Sequence, residues 1–230
     1  MIAESNRHSS TIIKRNTNTM TILSSAKRVS IAAFTFLSLF HALNANANPL
    51  EGMPSGTYNV DITHASVIWK VSHFGFSTYV GRFNDFSADI TLDAENFENS
   101  RVAVDIKVDS LDTDYPYPEK EDFNKELAED WFKSAEHPSI TFTATSVSPL
   151  EGSSFTINGD LTLMGETHSV SLDATLNGST PLHPFAKVPL IGFSATTSIN
   201  RTIWGLSKYA PKIGAQVSIE IEGEFLNKAK

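Results

Sequence analysis

The chain contains no cysteine. That excludes disulfide stapling, a thiolate metal site and a cysteine nucleophile. Charged side chains make up only 19% of the 230 residues, with 26 acids against 18 Lys and Arg. A net charge of −8 lacks the basic surface on which general nucleic-acid binding depends. The low charge, together with 40% hydrophobic residues, also excludes a mainly disordered, self-repelling polymer. Neither a G-x-S-x-G elbow nor an H-E-x-x-H helix nor a glycine-rich phosphate loop occurs. Long apolar runs are equally scarce. Residues 29–43 form the one candidate, and they fall short of the about 20 residues a membrane span needs.

That run reads as part of an export signal. Lys27 and Arg28 precede it, and the small residues Ala45 and Ala47 follow, in the order of the three parts of a secretory leader. Cleavage is expected after Ala47, with translation starting at Met1 or at Met20. The expected organisation is therefore an extension and signal over 1–47, a linker over 48–57 and a folded domain over 58–227. Export to the periplasm follows, with no stable membrane span after cleavage. The leader holds Arg7, Lys14, Arg15, Lys27, Arg28 and Glu4, so 13 basic and 25 acidic residues remain, a net charge of −12. Such a balance favours solubility and disfavours adhesion to anionic lipid.

The remaining chain alternates with a period of two. Val67, Trp69 and Val71 form one face of a first strand, and Phe86, Ala88, Ile90 and Leu92 one face of a second. Val102, Val104 and Ile106 continue the pattern, followed by Ile140, Phe142 and Ala144. Later runs are carried by Leu161 and Leu163, by Val170, Leu172 and Ala174, by Ile191 and Phe193, and by Val217 and Ile219. One apolar and one wet face per strand predicts antiparallel pairing around a single interior. About eight such runs, separated by Gly, Asn and Ser turns, predict an eight-stranded barrel or sandwich. Asn158 and Gly159 fall inside an alternating run, where a bulge competes with a turn. Residues 115–138 break the period. Phe123, Leu127 and Trp131, with Phe132 beside them, mark one short amphipathic helix over about 119–133, inserted as a cap.

The chemistry-bearing residues are dispersed. His64, His73, His137, His168 and His183 show no ligand spacing. Asp105, Asp109, Asp112 and Asp114 cluster, but without the glycine and terminal glutamate of an EF-hand loop. No metal and no required cofactor is expected. The 12 Phe and 3 Trp beyond residue 47 favour inward positions, and a barrel of this size either fills with side chains or holds one small ligand.

Several motifs in order resemble the YceI-like family. They are Tyr58 to Gly75 with Gly81, Arg82 and Phe83; Val108, Ser110, Asp112 and Thr113; Trp131 and Phe132; and Pro138, Ile140 and Phe142. The most specific is Gly159, Leu161, Thr162, Gly165 and Thr167, in the spacing G-x-L-T-x-x-G-x-T. Arg201, Trp204 and Gly205 match a final R-x-x-F-G, where the family's usual acid is Ile203 here. Likewise Glu121-Asp122 and Glu126-Leu127 stand where the family has Arg-Asp and His-Leu. The resemblance implies a lipocalin-like barrel, commonly paired as a homodimer, that binds polyisoprenoids or other long-chain lipids inside.

The expected function is thus an exported, non-enzymatic carrier of an isoprenoid quinone or prenyl lipid, with a fatty acid or fatty amide as the alternative ligand. Burying ten methylenes gives roughly 8 kcal/mol before ordering costs, enough without a charged anchor. Wall candidates are Trp69, Val71, Phe86, Phe142, Leu163, Phe193 and Trp204, with Leu127, Trp131 and Phe132 as the cap. His73, Arg82 and Arg201 are candidate head-group contacts. The rival from another class is a lipid-modifying enzyme with His64 or His73 as base near Asp61.

Overall fold

The computed structural model describes residues 48–228; the leader lies outside them, so its reading stays an expectation. Ten strands form one antiparallel sheet that closes on itself. They are β1 (Gly56–His73), β2 (Ser77–Phe83), β3 (Phe86–Leu92), β4 (Arg101–Lys107) and β5 (Leu111–Asp112), then β6 (Ser139–Val147), β7 (Ser154–Leu163), β8 (Glu166–Thr180), β9 (Leu190–Asn200) and β10 (Ile213–Leu226). Each side chain's face follows the two-residue period, as in β8, where Val170, Leu172, Ala174 and Leu176 are all buried.

Ten strands make eight staves. β2 and β3 are two halves of one stave broken at Asn84 and Asp85: the upper part of β1 pairs with β2, and its lower part with β3. β4 and β5 are halves of the next stave, pairing with β3 and β2 respectively. The order continues through β6, β7, β8, β9 and β10, and β10 returns to β1 from Asn59↔Leu226 to His73↔Ile213. The expected eight-stranded antiparallel barrel is therefore what the chain builds. Tight turns end the hairpins at the upper pole. Phe74, Gly75 and Phe76 join β1 to β2, the first two at φ 53 and 73, and Met164 and Gly165 (φ 51 and 76) join β7 to β8. Paired positive φ values match the right-handed twist of the flanking strands. Asn158 and Gly159 are no turn. They lie within β7, and the extra residue falls on β6 opposite them, between Ala144 and Ser146.

The cap covers the same upper pole. Its helix is shorter than the predicted 119–133, a single α-turn, α1 (Phe123–Glu126), that widens into a π-turn over Leu127–Trp131. Asp122 starts it by accepting a hydrogen bond from the Lys125 amide at 3.1 Å. Prolines 116 and 118 keep the residues before it out of the helix. Residues 48–55 are not the free linker expected. They fold across the lower pole, where Leu50 and Met53 are buried, Leu50 N–H donates to Asn48 Oδ1, and Tyr58 Oη donates to the Pro54 carbonyl at 2.8 Å.

Candidate functional site

The inward faces of the strands do not fill the barrel. They enclose a chamber of about 480 Å³ whose walls are almost wholly apolar. Rings line it from pole to pole. At the lower end Phe97, Phe155, Phe193 and Phe225 form a chain with successive centroids 5.0, 5.6 and 6.1 Å apart. Nearer the cap, Trp69 lies 6.2 Å from Tyr79, and Tyr79 meets Phe123 edge-on at 6.0 Å. Phe83 meets Phe132 edge-on at 6.1 Å. Such tilted and edge-to-face pairs are the arrangements that aromatic quadrupoles favour, each contributing about 0.5–1.5 kcal/mol beyond area burial.

Six of the seven wall candidates, Trp69, Val71, Phe86, Phe142, Leu163 and Phe193, line this chamber, as do Leu127, Trp131 and Phe132 of the cap. Trp204 does not. It sits on the 3₁₀ turn Arg201–Trp204, is buried against the edge of His168 at 4.9 Å, and donates its indole N–H to the Leu161 carbonyl at 3.3 Å. It plugs the rim beside the chamber. The alternation that placed the other six does not extend into that turn.

The head-group candidates separate. His73 lies at the upper rim, exposed and among the chamber residues, edge-on to Phe74 at 4.8 Å. Arg82 points outward from β2 and pairs with Asp114 at 3.6 Å, so it does not reach the interior. Arg201 touches the chamber, but its guanidinium is committed to backbone carbonyls. Nε donates to Gly214 at 2.8 Å, Nη2 to Ile213 at 2.8 Å and to Lys208 at 3.1 Å, and Nη1 to Leu206. Burial pushes its pKa down, and among the described residues no carboxylate pairs with it. It is a clamp on the 201–214 segment.

Some lining residues carried no strand signal. Tyr79 falls in a stretch that reads as a turn, yet belongs to β2. Leu206, Tyr209 and Ile213 come from an irregular segment or its edge. Tyr209 meets Trp131 of the cap at a tilt of 51°, with centroids 5.7 Å apart, and Lys208 lies 4.9 Å from the Trp131 ring and 3.6 Å from Glu126. The cap is thereby fastened to the opposite rim. The indole N–H groups of Trp69 and Trp131 are buried with no hydrogen-bond partner.

Of the residues of the rival reading, His73 stands at the chamber rim, while Asp61 and His64 are not part of its lining. Asp61 and His64 meet at 3.0 Å on the outer surface, with Thr63 donating to Asp61 at 2.7 Å. Hydrogen bonds from Thr63 and His64 hold the Asp61 carboxyl at about 2, and Asp61 in turn raises the His64 pKa. The aspartate cluster disperses into local partners: Asp105 with Lys107 at 2.7 Å, and Asp112 with the amides of Asn84 and Asn124.

Fold and chamber together define a lipocalin-like barrel of eight staves with a capped apolar interior. The chain belongs to the YceI-like family, whose domain model matches residues 58–225. A UPF0312 protein from Shewanella sp. (strain ANA-3) is 31% identical over 167 residues, spanning 72% of this chain and 83% of that relative. The Campylobacter jejuni YceI protein is 26% identical with a TM-score of 0.60, covering 70% of this chain and 91% of that one. A polyisoprenoid binding domain from Saccharophagus degradans shares the fold, with a TM-score of 0.50, 12% identity, and coverage of 75% and 99%. Among the described residues no helix is long and apolar enough to cross a membrane.

Proposed function

We propose that this protein is a carrier, without catalytic chemistry of its own, that holds a long-chain isoprenoid inside its barrel outside the cytoplasm. The chamber carries the reading. A water molecule's share of liquid volume is about 30 Å³, so 480 Å³ accommodates about 16 groups of that size, or roughly three isoprene units. At ~0.8 kcal/mol per buried methylene, such a chain gains about 13 kcal/mol before ordering and immobilisation are deducted. Micromolar or tighter affinity remains without any ion pair. Export rests on the Lys27 to Ala47 signal.

An oxygen on the ligand would supply the acceptor that the Trp69 and Trp131 N–H groups lack, since an indole only donates. A quinone carbonyl or a prenyl hydroxyl meets that need, and so does a fatty acid or fatty amide, which is the second reading. The name of the Saccharophagus domain supports the isoprenoid class. Lipid extraction of purified protein with mass spectrometry, joined to displacement of a fluorescent apolar probe, tests the proposal. Co-purifying prenyl lipid and displacement by prenyl chains are expected. A barrel that carries no lipid and releases no probe to prenyl or fatty chains refutes it.

A further inference from the structure

Three inward-facing glycines lie beneath aromatic rings, one near each level of the barrel. Gly81 is directly opposite Trp69 across the β1–β2 pair, and a Cβ there would stand 2.2 Å from Trp69 Cζ2. Gly159 lies under Phe142, which leans from β6, and its added Cβ would stand 2.4 Å from Phe142 Cζ. Gly223 on β10 lies under Phe225, two residues along, with the corresponding contact at 2.9 Å. None of the three has a positive φ, so backbone conformation does not demand glycine at these positions. The rings demand it. Trp69, Phe142 and Phe225 all line the chamber, and each lies flat on the wall only because the wall lacks a side chain there.

We propose that Gly81 and Gly159 set the bore of the chamber, and with it a preference for methyl-branched chains over straight polymethylene chains. This rests on the apolar-carrier reading and adds a selectivity to it. A prenyl chain carries a methyl branch on every unit and needs a wider bore than a fatty chain. In that wider bore a straight chain leaves gaps and forfeits contact energy on its open sides. A methyl at position 81 would drive the Trp69 ring into the lumen and exchange one preference for the other.

The test uses Gly81→Ala, because the three nearest contacts of its added methyl are all to the Trp69 side chain, whereas at Gly159 the methyl would also stand 2.6 Å from the Thr143 carbonyl oxygen. Farnesol and hexadecanol compete for a fluorescent probe on wild type, G81A, W69V and the double variant G81A/W69V. Wild type should favour farnesol. G81A should weaken farnesol by about tenfold or more while hexadecanol changes by less than about threefold. W69V removes an indole donor and part of the wall, so it serves only as a background: there G81A should shift neither chain by more than about twofold, because the added methyl acts only through the ring. Should G81A alone fail to fold, that comparison within the W69V background still reads the proposal. Equal losses of both chains in folded G81A, or a farnesol loss on adding G81A to W69V as large as in wild type, overturn the bore assignment. Wild type that prefers hexadecanol overturns it too and leaves the carrier reading standing; wild type that binds neither chain removes both.

Discussion

Replacing Arg201 by methionine tests whether this buried cation is a clamp or a ligand contact. The residue is 5% exposed, and its guanidinium donates to the carbonyls of Leu206, Lys208, Ile213 and Gly214. Hydrogen bonds from a charged donor contribute about 1.5–3 kcal/mol each, or roughly 6–12 kcal/mol gross for four. Against this stands a desolvation cost of several kcal/mol, which methionine relieves. The net expected loss is about 3–5 kcal/mol. At an m-value of about 2 kcal/mol/M, the urea midpoint should fall by roughly 2 M. Arg201→Lys should fall between the two, because one ammonium cannot reach four carbonyls arranged around a planar fork. Urea unfolding followed by tryptophan fluorescence reads the change, since Trp204 sits on the same turn. A methionine variant within about 0.5 kcal/mol of wild type that has lost probe affinity would refute the clamp and return Arg201 to the head group.

Three further outcomes follow from the same geometry. The His64 imidazole should titrate above its ordinary 6.5 by NMR, and Asp61→Asn should bring it down toward that value. The sign of the stability effect follows: the raised His64 contributes fully below 6.5 and loses its effect as pH rises through its folded value, while Asp61 contributes above 3.8 and loses its effect as pH falls toward about 2. Leu50→Ala should cost about 2–5 kcal/mol in chemical unfolding, because that side chain seals the lower pole. Lys208→Ala should change stability by less than about 1 kcal/mol, since the pair is half exposed. Stopped-flow release of a bound probe should nevertheless quicken, because the cap loses both its ion pair and its cation on Trp131.

The strands were legible because burial on one face writes a period of two into the residues, as in Val170 to Leu176. The same period placed six of the seven wall residues. It failed for Trp204 and Tyr209, whose positions depend on a 3₁₀ turn and an irregular return to β10. Arg201 illustrates a second limit: sequence shows a cation near the chamber, but not that four carbonyls converge on it. The cap was visible from Phe123, Leu127 and Trp131, yet its length was not. The Asp122 cap starts it later than residue 119, and Lys133, at a φ of 55, lies beyond its end. Leu50 and Met53 are too few to show a period, so the lower plug resembled a linker.

Closure of the first strand on the last has a consequence for how the molecule is held. Asn59 pairs with Leu226, Asn227 N–H donates to the Pro189 carbonyl, and Ser179 donates to the Pro49 carbonyl. The described chain therefore begins and ends at one pole, while the cap and His73 occupy the other. Any leash, tag or surface attached at either end holds the barrel by its sealed base. The capped pole, where His73 stands, then points away from the attachment.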